Sequence, residues 1–287
     1  MGETQTVLLA ASERAFGSEE AQLLMDSLRG RGVEAAESRW DTHDPRPGTS
    51  VVIRHTWDYH KRLPDFTVWL DRLEDAGTRV FNSVPLIRWN AEKGYLVDLA
   101  QRGVRTPTTL FYESRDVVPD GAELSARLGT DRAVIKPTVS ATSWHTRLVS
   151  LDDRRAVLEA VDAAAGASRA MVQAFVPEIG GGEWSLVYFG GVFSHAVLKR
   201  PVSGEFRVQS DFGGSVELGE PPAAALDIAE RCLAAAPESP TFARVDGVET
   251  DDGFLLMELE LIEPDLFFRL HAPASARLAE LIAEGAT

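Results

Sequence analysis

Near the carboxyl end, two apolar segments flank an acidic turn, Asp251-Asp252-Gly253. Phe242-Ala243-Arg244-Val245-Asp246 precedes it, and Phe254-Leu255-Leu256-Met257-Glu258-Leu259-Glu260 follows. A hairpin centred on the turn sets Asp246 roughly opposite Glu258. Strand alternation puts Glu258 and Glu260 on one face. Three carboxylates converging among apolar neighbours are unfavourable unless protonated or neutralised by a cation. Hard oxygen ligands suit Mg²⁺ or Mn²⁺, ions that often bridge substrate phosphates. Asp246, Glu258 and Glu260 are therefore candidate metal ligands, with a solvated acidic strand face as the plain alternative.

Cationic candidates lie upstream. Lys136 ends the apolar run Val134-Ile135-Lys136 before Pro137, and Lys93 follows Asn90-Ala91-Glu92 at a helix start. A lysine at a strand end can serve as a point charge for a phosphate, although most lone lysines are simply solvated. Lys199, Arg200 and Arg207 form a local cationic group in a very acidic chain. The pair Gly213-Gly214 follows them, and glycine lets backbone approach a ligand closely. Such a group suits a phosphoryl anion or a substrate carboxylate; otherwise it is an ordinary loop with salt bridges. Arg54-His55-Thr56-Trp57-Asp58-Tyr59 comes directly after the apolar run Val51-Val52-Ile53. Ligands collect at the carboxyl ends of strands in open α/β sheets. Arg54 could hold a carboxylate and Asp58 an ammonium, or Trp57 and Tyr59 could merely pack the loop down. The nucleotide, metalloprotease and hydrolase signatures G-x-x-x-x-G-K-[ST], G-x-G-x-x-G, H-E-x-x-H and G-x-S-x-G are absent. His195 sits in an apolar strand and reads as structural.

These residues need a scaffold, and the chain provides for one. At roughly 150 residues per domain, 287 residues suggest about two domains. A net charge of −15, with no run of Lys and Arg, repels polyphosphate backbones and anionic surfaces. Nucleic acid and membranes are not expected partners. The single cysteine, Cys232, cannot form an internal disulfide and sits on an apolar helix face. The first six residues lack a signal peptide's positive region, and no apolar run approaches the roughly 18 residues of a membrane span; a cytoplasmic protein is expected.

The start of the chain alternates strand and helix. Strands are predicted at Val7–Ala10, Val33–Ala36, Val51–Ile53 and Val80–Phe81, with helices over 18–30 and 66–73. That βαβ rhythm predicts an open, mostly parallel sheet in a domain of residues 1–85. A helical connector follows over 86–103. Short strands at 109–112, 133–136 and 171–175 then surround a helix over 152–165. Gly190-Gly191 marks a hairpin, residues 222–236 a helix, 242–262 a second hairpin, and a last helix follows Pro273. The reading is an α/β chain with a domain over 1–85, a connector and first lobe over 86–176, and a second lobe over 177–287.

Taken in order, the pieces resemble the ATP-grasp superfamily, in its glutathione-synthetase-like branch. They run from Asn82-Ser83 through Lys93, Val134-Ile135-Lys136-Pro137, Gln173-Ala174-Phe175-Val176 and Glu183. Lys199-Arg200-Pro201, Gly204-Glu205-Phe206-Arg207, Gln209, Gly213-Gly214, Asp246 and Glu258-Leu259-Glu260 complete the series. The resemblance covers about residues 80 to 265, and the first 80 fit the family's usual N-terminal domain. It implies ATP between two lobes, with Lys93 and Lys136 on the α- and β-phosphates. It implies that the backbone of Gln173, Ala174, Phe175 and Val176 reads adenine and that Glu183 accepts from the ribose. Asp246, Glu258 and Glu260 match positions that bind two metal ions. Arg200, beside Lys199, matches the arginine facing the transferred phosphoryl group. Arg207, with Gly213 and Gly214, would stabilise the acyl-phosphate and the tetrahedral intermediate. Arg54, Thr56, Asp58, Asn82 and Ser83 fall on the substrate side.

Two features depart from the family pattern. Glu260 stands where asparagine is usual, and the loop Thr138–Thr146, usually glycine-rich, has no glycine. The Arg54–Tyr59 loop and the Glu258–Pro264 run also resemble a narrower group that makes amino-acid natural products. It includes cyclo-ligases of the cycloserine-synthetase type, which act on O-ureidoserine, and γ-glutamyl ligases. The implied activity is a Mg²⁺- and ATP-dependent ligase that activates an amino-acid carboxylate as an acyl-phosphate for attack by an amine. Intramolecular cyclisation, a catalytically silent nucleotide-binding protein and modification of a peptide tail are the alternatives. A small amino acid is the expected partner, and self-association stays open.

Overall fold

The computed structural model describes residues 6–46, 48–202, 207–208 and 213–286. Strand β1 (Thr6–Ala11) is buried along most of its length, as only a strand covered on both faces can be. It pairs in parallel with β2 (Glu34–Arg39) and β3 (Thr49–His55), and β3 pairs in parallel with β4 (Arg79–Phe81). The resulting order is β2-β1-β3-β4, the parallel sheet expected from the sequence. Helix α1 (Glu19–Arg29) starts at Ser18, whose hydroxyl accepts from the amide of Ala21. Helix α2 (Leu63–Asp75) buries Phe66, Trp69, Leu70 and Leu73 against the sheet, in one cluster with Val51 and Ile53.

The connector is two helices rather than one. Helices α3 (Val84–Ala91) and α4 (Tyr95–Gln101) are separated by an extended Glu92. That break turns the amide of Lys93 outward to donate to the carbonyl of Thr138 at 2.8 Å. Residues 109–174 then form an antiparallel sheet ordered β5-β8-β6-β7. Its strands are β5 (Thr109–Tyr112), β6 (Arg132–Pro137), β7 (Arg147–Ser150) and β8 (Ala170–Ala174). Helices α5 (Gly121–Leu128) and α6 (Arg154–Ala165) share its core. Neither α5 nor the short, half-polar β7 stands out in the sequence pattern.

The third sheet is antiparallel with order β11-β10-β9-β12-β13. It comprises β9 (Glu183–Phe189), β10 (Val192–Arg200), β11 (Ser215–Gly219), β12 (Phe242–Thr250) and β13 (Gly253–Glu260). Helix α7 (Ala223–Ala235) packs on β12 and β13. It carries the buried Cys232, whose thiol burial pushes up to about 12, so that thiol is inert packing. Helix α8 (Pro273–Ala286) returns to lie on α1, in the cluster of Val7, Leu9 and Leu24. The lobe drawn over 177–287 therefore does not keep its last helix, which joins the N-terminal layer. Among the described residues no helix is long and apolar enough to cross a membrane.

Candidate active site

The register of the β12–β13 hairpin creates the site. Thr250 pairs with Gly253 across the turn, and a regular ladder from there would set Asp246 opposite Met257. Instead Asp246 pairs with Glu258 and Gly247 with Leu256, so Met257 is the extra residue of a bulge. Met257 and Glu258 consequently both line the same cavity. Gly247 is a necessary part of this corner, because any Cβ there would run into the Phe254 ring.

That cavity, of about 390 Å³, takes strand residues from the second and third sheets and Trp57 and Tyr59 from the loop after β3. Val134, Ile179 and Met257 contribute apolar wall, and Lys93, Lys136, Lys199, Arg207 and Arg244 contribute positive charge. Lys93 Nζ pairs with Glu258 Oε1 at 2.9 Å and donates to the carbonyl of Ser140 at 2.7 Å. Lys199 Nζ lies 2.5 Å from Glu183 Oε2 and 3.3 Å from Asp246 Oδ2. Arg244 grips Asp246 through Nε and Nη2, at 2.9 and 2.8 Å, and pairs with Glu260 through Nη2. Ser185 Oγ donates to Asp246 at 2.6 Å. Lys136 makes no hydrogen bond or ion pair among the described residues.

The charges follow from these contacts. Burial would raise Asp246, but Arg244 and Lys199 outweigh it and hold the carboxyl far below its usual range. Burial is likewise overcome at Glu258 by Lys93 and Lys136, leaving it lowered. Glu260 keeps the burial effect and is pushed up to about 8, Arg244 offsetting it only in part. Burial lowers the Lys136 ammonium, against the pull of Glu258. The acidic strand does need counter-ions, as expected, and the protein supplies them itself. Among the described residues no three carboxylate, histidine or cysteine side chains are gathered as a metal set. Asp246 and Glu258 nevertheless fit a hard divalent cation in donor type, register and shared cavity. Glu260, expected as a third ligand, lines the same cavity and, like Asp246, is paired with Arg244.

The other expected site residues divide sharply. Gln173 and Glu183 line the cavity with the lysines and Arg207. In the expected adenine hinge, the amide of Ala174 donates to Thr108 and that of Phe175 to Arg132, so both are engaged within the protein. The Phe175 ring lies under the Arg132 guanidinium at 4.4 Å, and Val176 is buried in a small apolar cluster. Arg200 is a correction: alternation along β10 sends it away from Lys199, to a half-exposed ion pair with Glu217 on β11. The buried guanidinium of the cavity is Arg244. Gly213 and Gly214 do not line the cavity; Gly214 is needed because a Cβ would meet the carbonyls of Val208 and Arg200. Gly204–Phe206 and Gln209 lie outside the described residues.

The expected substrate residues are corrected most. Asn82 donates to the carbonyls of Phe242 and Leu261 and accepts from the amides of Thr241 and Phe242. It ties the N-terminal domain to the third sheet and has nothing left for a ligand. Ser83 caps α3 and donates to Glu238. Arg54 is in the interior, donating to the carbonyl of Pro264, and Thr56 is fully buried. Asp58 accepts from the Trp40 indole at 2.9 Å. Conversely Trp57 and Tyr59, readable as loop packing, line the cavity together with Glu263, Asp265 and Arg269. Burial first, then Glu263, Glu258 and Glu260, raises the Tyr59 phenol well above its usual range. One missed residue had a signal: Arg244 is two positions before Asp246, hence on the same strand face.

The glycine-free loop reaches the cavity through Ser140, Thr142, Ser143 and Thr146. Thr142, Ser143 and His145 adopt left-handed φ angles of 50°, 57° and 52°. Such angles are unfavourable for residues with a side chain. The loop thus takes the conformations glycine would, and Trp144 anchors it on His60 at 5.2 Å between ring centroids.

Residues 7–82 match the family described as D-cycloserine synthetase DcsG, N-terminal domain. The chain is 30% identical over 286 residues to the cycloserine biosynthesis protein DcsG of Streptomyces lavendulae, covering 91% of this chain and 92% of that protein. The crystal structure of D-cycloserine synthetase DcsG superposes with a TM-score of 0.85 at 24% identity, over 98% of this chain and 100% of the other. A RimK domain ATP-grasp protein from Sphaerobacter thermophilus gives a TM-score of 0.71 at 21% identity, over 98% of each chain. At those identities the two structures establish the shared fold.

Proposed function

The chain belongs to the ATP-grasp ligases close to D-cycloserine synthetase and is an ATP-dependent carbon–nitrogen ligase; from that premise we propose that it activates the carboxylate of a small amino acid in antibiotic biosynthesis. A carboxylate is a poor electrophile. Transfer of the γ-phosphoryl group of ATP to one of its oxygens makes an acyl-phosphate and ADP. An amine nitrogen then bonds to the carbonyl carbon, the bond to the phosphate oxygen breaks, and phosphate leaves as the nitrogen loses a proton.

The observation that carries this reading is the cavity in which Lys93, Lys136, Lys199 and Arg244 converge around Asp246 and Glu258. Phosphoryl transfer asks a protein mainly for positioning and charge neutralisation, and this is that arrangement. Lys93 and the unpaired Lys136 hold phosphates. Val134, Ile179 and Met257 flank the base, with Glu183 at the ribose. Lys199, Arg207 and Arg244 face the charge that develops on the transferred group and on the tetrahedral carbon. Asp246 and Glu258 would hold Mg²⁺ or Mn²⁺, which would supply neutralisation of phosphate charge. Similarity along nearly the whole length of a cycloserine biosynthesis protein favours a cyclo-ligase, in which one molecule supplies both carboxylate and amine.

The test is ADP release with ATP, Mg²⁺ and amino acids offered singly and in pairs, both enantiomers of O-ureidoserine and of alanine included. ADP release and a ring product from one compound alone identify cyclisation, and a strict need for two identifies intermolecular ligation. Glu258→Gln is expected to abolish turnover with the fold intact. Turnover unaffected in that variant, or no turnover by the native protein on any amino acid, overturns the reading.

A further inference from the structure

The carboxylates facing the cavity are Glu183, Asp246, Glu258, Glu260, Glu263 and Asp265. All but one have a cation of the chain against them. Lys199 serves Glu183 and Asp246, Lys93 serves Glu258, Arg244 serves Asp246 and Glu260, and Arg269 lies 2.9 Å from Asp265. Glu263 has no ion pair and no hydrogen bond to another residue among the described residues, although it is only 7% exposed. Its carboxylate meets its own backbone amide, and the residue lines the cavity with Tyr59, Glu258 and Glu260. Burying an ionised carboxylate without a partner is strongly unfavourable. Burial accordingly pushes this one up to about 7. Among the described residues, then, the cavity cation Lys136 has no ion pair, which suits a phosphate, and the cavity carboxylate Glu263 has none either, which suits a positive charge brought by the ligand.

We propose that Glu263 receives the protonated α-amino group of the amino-acid substrate, and that this contact selects amino acids over carboxylic acids lacking the amine. The assignment rests on the amino-acid ligase reading above. Glu263 lies three residues beyond the end of β13, and Pro264 after it disfavours helical backbone angles there. Glu263 lines the cavity together with Ile262 and Asp265. Its role is positioning and selection, since a group whose charge must match an ammonium gains nothing from taking its proton.

The experiment is equilibrium binding in the presence of a non-hydrolysable ATP analogue and Mg²⁺. The probes are the enantiomers of O-ureidoserine and of alanine, each beside its counterpart with hydrogen in place of the amine. In the native protein at least one amino acid is expected to bind at least about tenfold more tightly than its counterpart. In Glu263→Gln that gap shrinks to less than about threefold while affinity for the ATP analogue is unchanged. A gap that persists in Glu263→Gln, or that is absent from the native protein, overturns the proposal. Should Glu263→Gln lose the ATP analogue as well, Glu263→Asp decides, since it keeps the charge: the gap must survive there, and its loss overturns the proposal. If the native protein binds the ATP analogue but no amino acid, the amino-acid ligase reading itself falls, an outcome distinct from equal binding of both members of a pair.

Discussion

Arg244 and Arg54 are both buried, 8% and 1% exposed, yet they sit in opposite surroundings. Arg244 reaches two carboxylates and one carbonyl, and the carboxylates outweigh burial and hold its charge firmly. Arg54 donates to one carbonyl, lies 5.5 and 5.8 Å from the Phe242 and Phe268 ring centres, and leaves Nη2 without a partner. Burial dominates there and lowers it to about 10. A buried guanidinium is therefore not itself the mark of a site. The mark is competition: Arg244 is bound by carboxylates that a ligand and its metal could claim, whereas Arg54 fills a seam between the N-terminal sheet and the segment after β13.

The strongest way to break that comparison is Arg244→Met. Its kcat/KM for ADP release is expected to fall at least about 10³-fold, roughly 4 kcal/mol of barrier. Activity near that of the native protein would mean that the paired guanidinium is as structural as Arg54. Asn82→Ala tests the seam from the other side. It removes four hydrogen bonds between domains, at about 1 kcal/mol each. Urea unfolding should show a loss of roughly 4 kcal/mol, and a variant as stable as the native protein would return Asn82 to the list of ligand contacts.

His55, next to Arg54, adds a pH test. Burial first, then Arg54, lowers its folded-state pKa from 6.5 to about 3. A depressed pKa stabilises the fold fully above the unfolded value and is lost as pH falls toward the folded value. Between pH 6.5 and 5 this one group should remove roughly 2 kcal/mol. The stability of His55→Asn should fall by about that much less between pH 7 and 5. Parallel losses in the two proteins would refute the assignment. The smallest effect is expected from Arg54→Met, which replaces a poorly satisfied buried charge by an apolar chain. Stability should change by less than about 1 kcal/mol, and ADP release should stay within about twofold of native. A large loss of activity would restore Arg54 as a substrate residue.

Much of the scaffold was legible because it rests on local periods. Apolar runs separated by helical patterns announced the parallel sheet, and glycine-centred turns announced both hairpins. Alternation placed Glu258 and Glu260 on one face, and the turn at Asp251–Gly253 brought Asp246 close to Glu258. The same alternation, applied to Lys199 and Arg200, would have sent the arginine away from the cavity, and applied to Arg244 would have brought it in.

The sequence by itself determined which stretches become strands and helices, and which charged types ride on them, because those follow from spacing along the chain. Only the tertiary structure decided what each charge meets. The bulge at Met257 set the final register. The return of α8 to α1 joined the two ends of the chain. Asn82 was consumed by backbone groups more than 150 residues away, and Glu263 was left as the cavity carboxylate without an ion pair among the described residues. Pairings of that kind depend on distances across the fold, which no local pattern encodes.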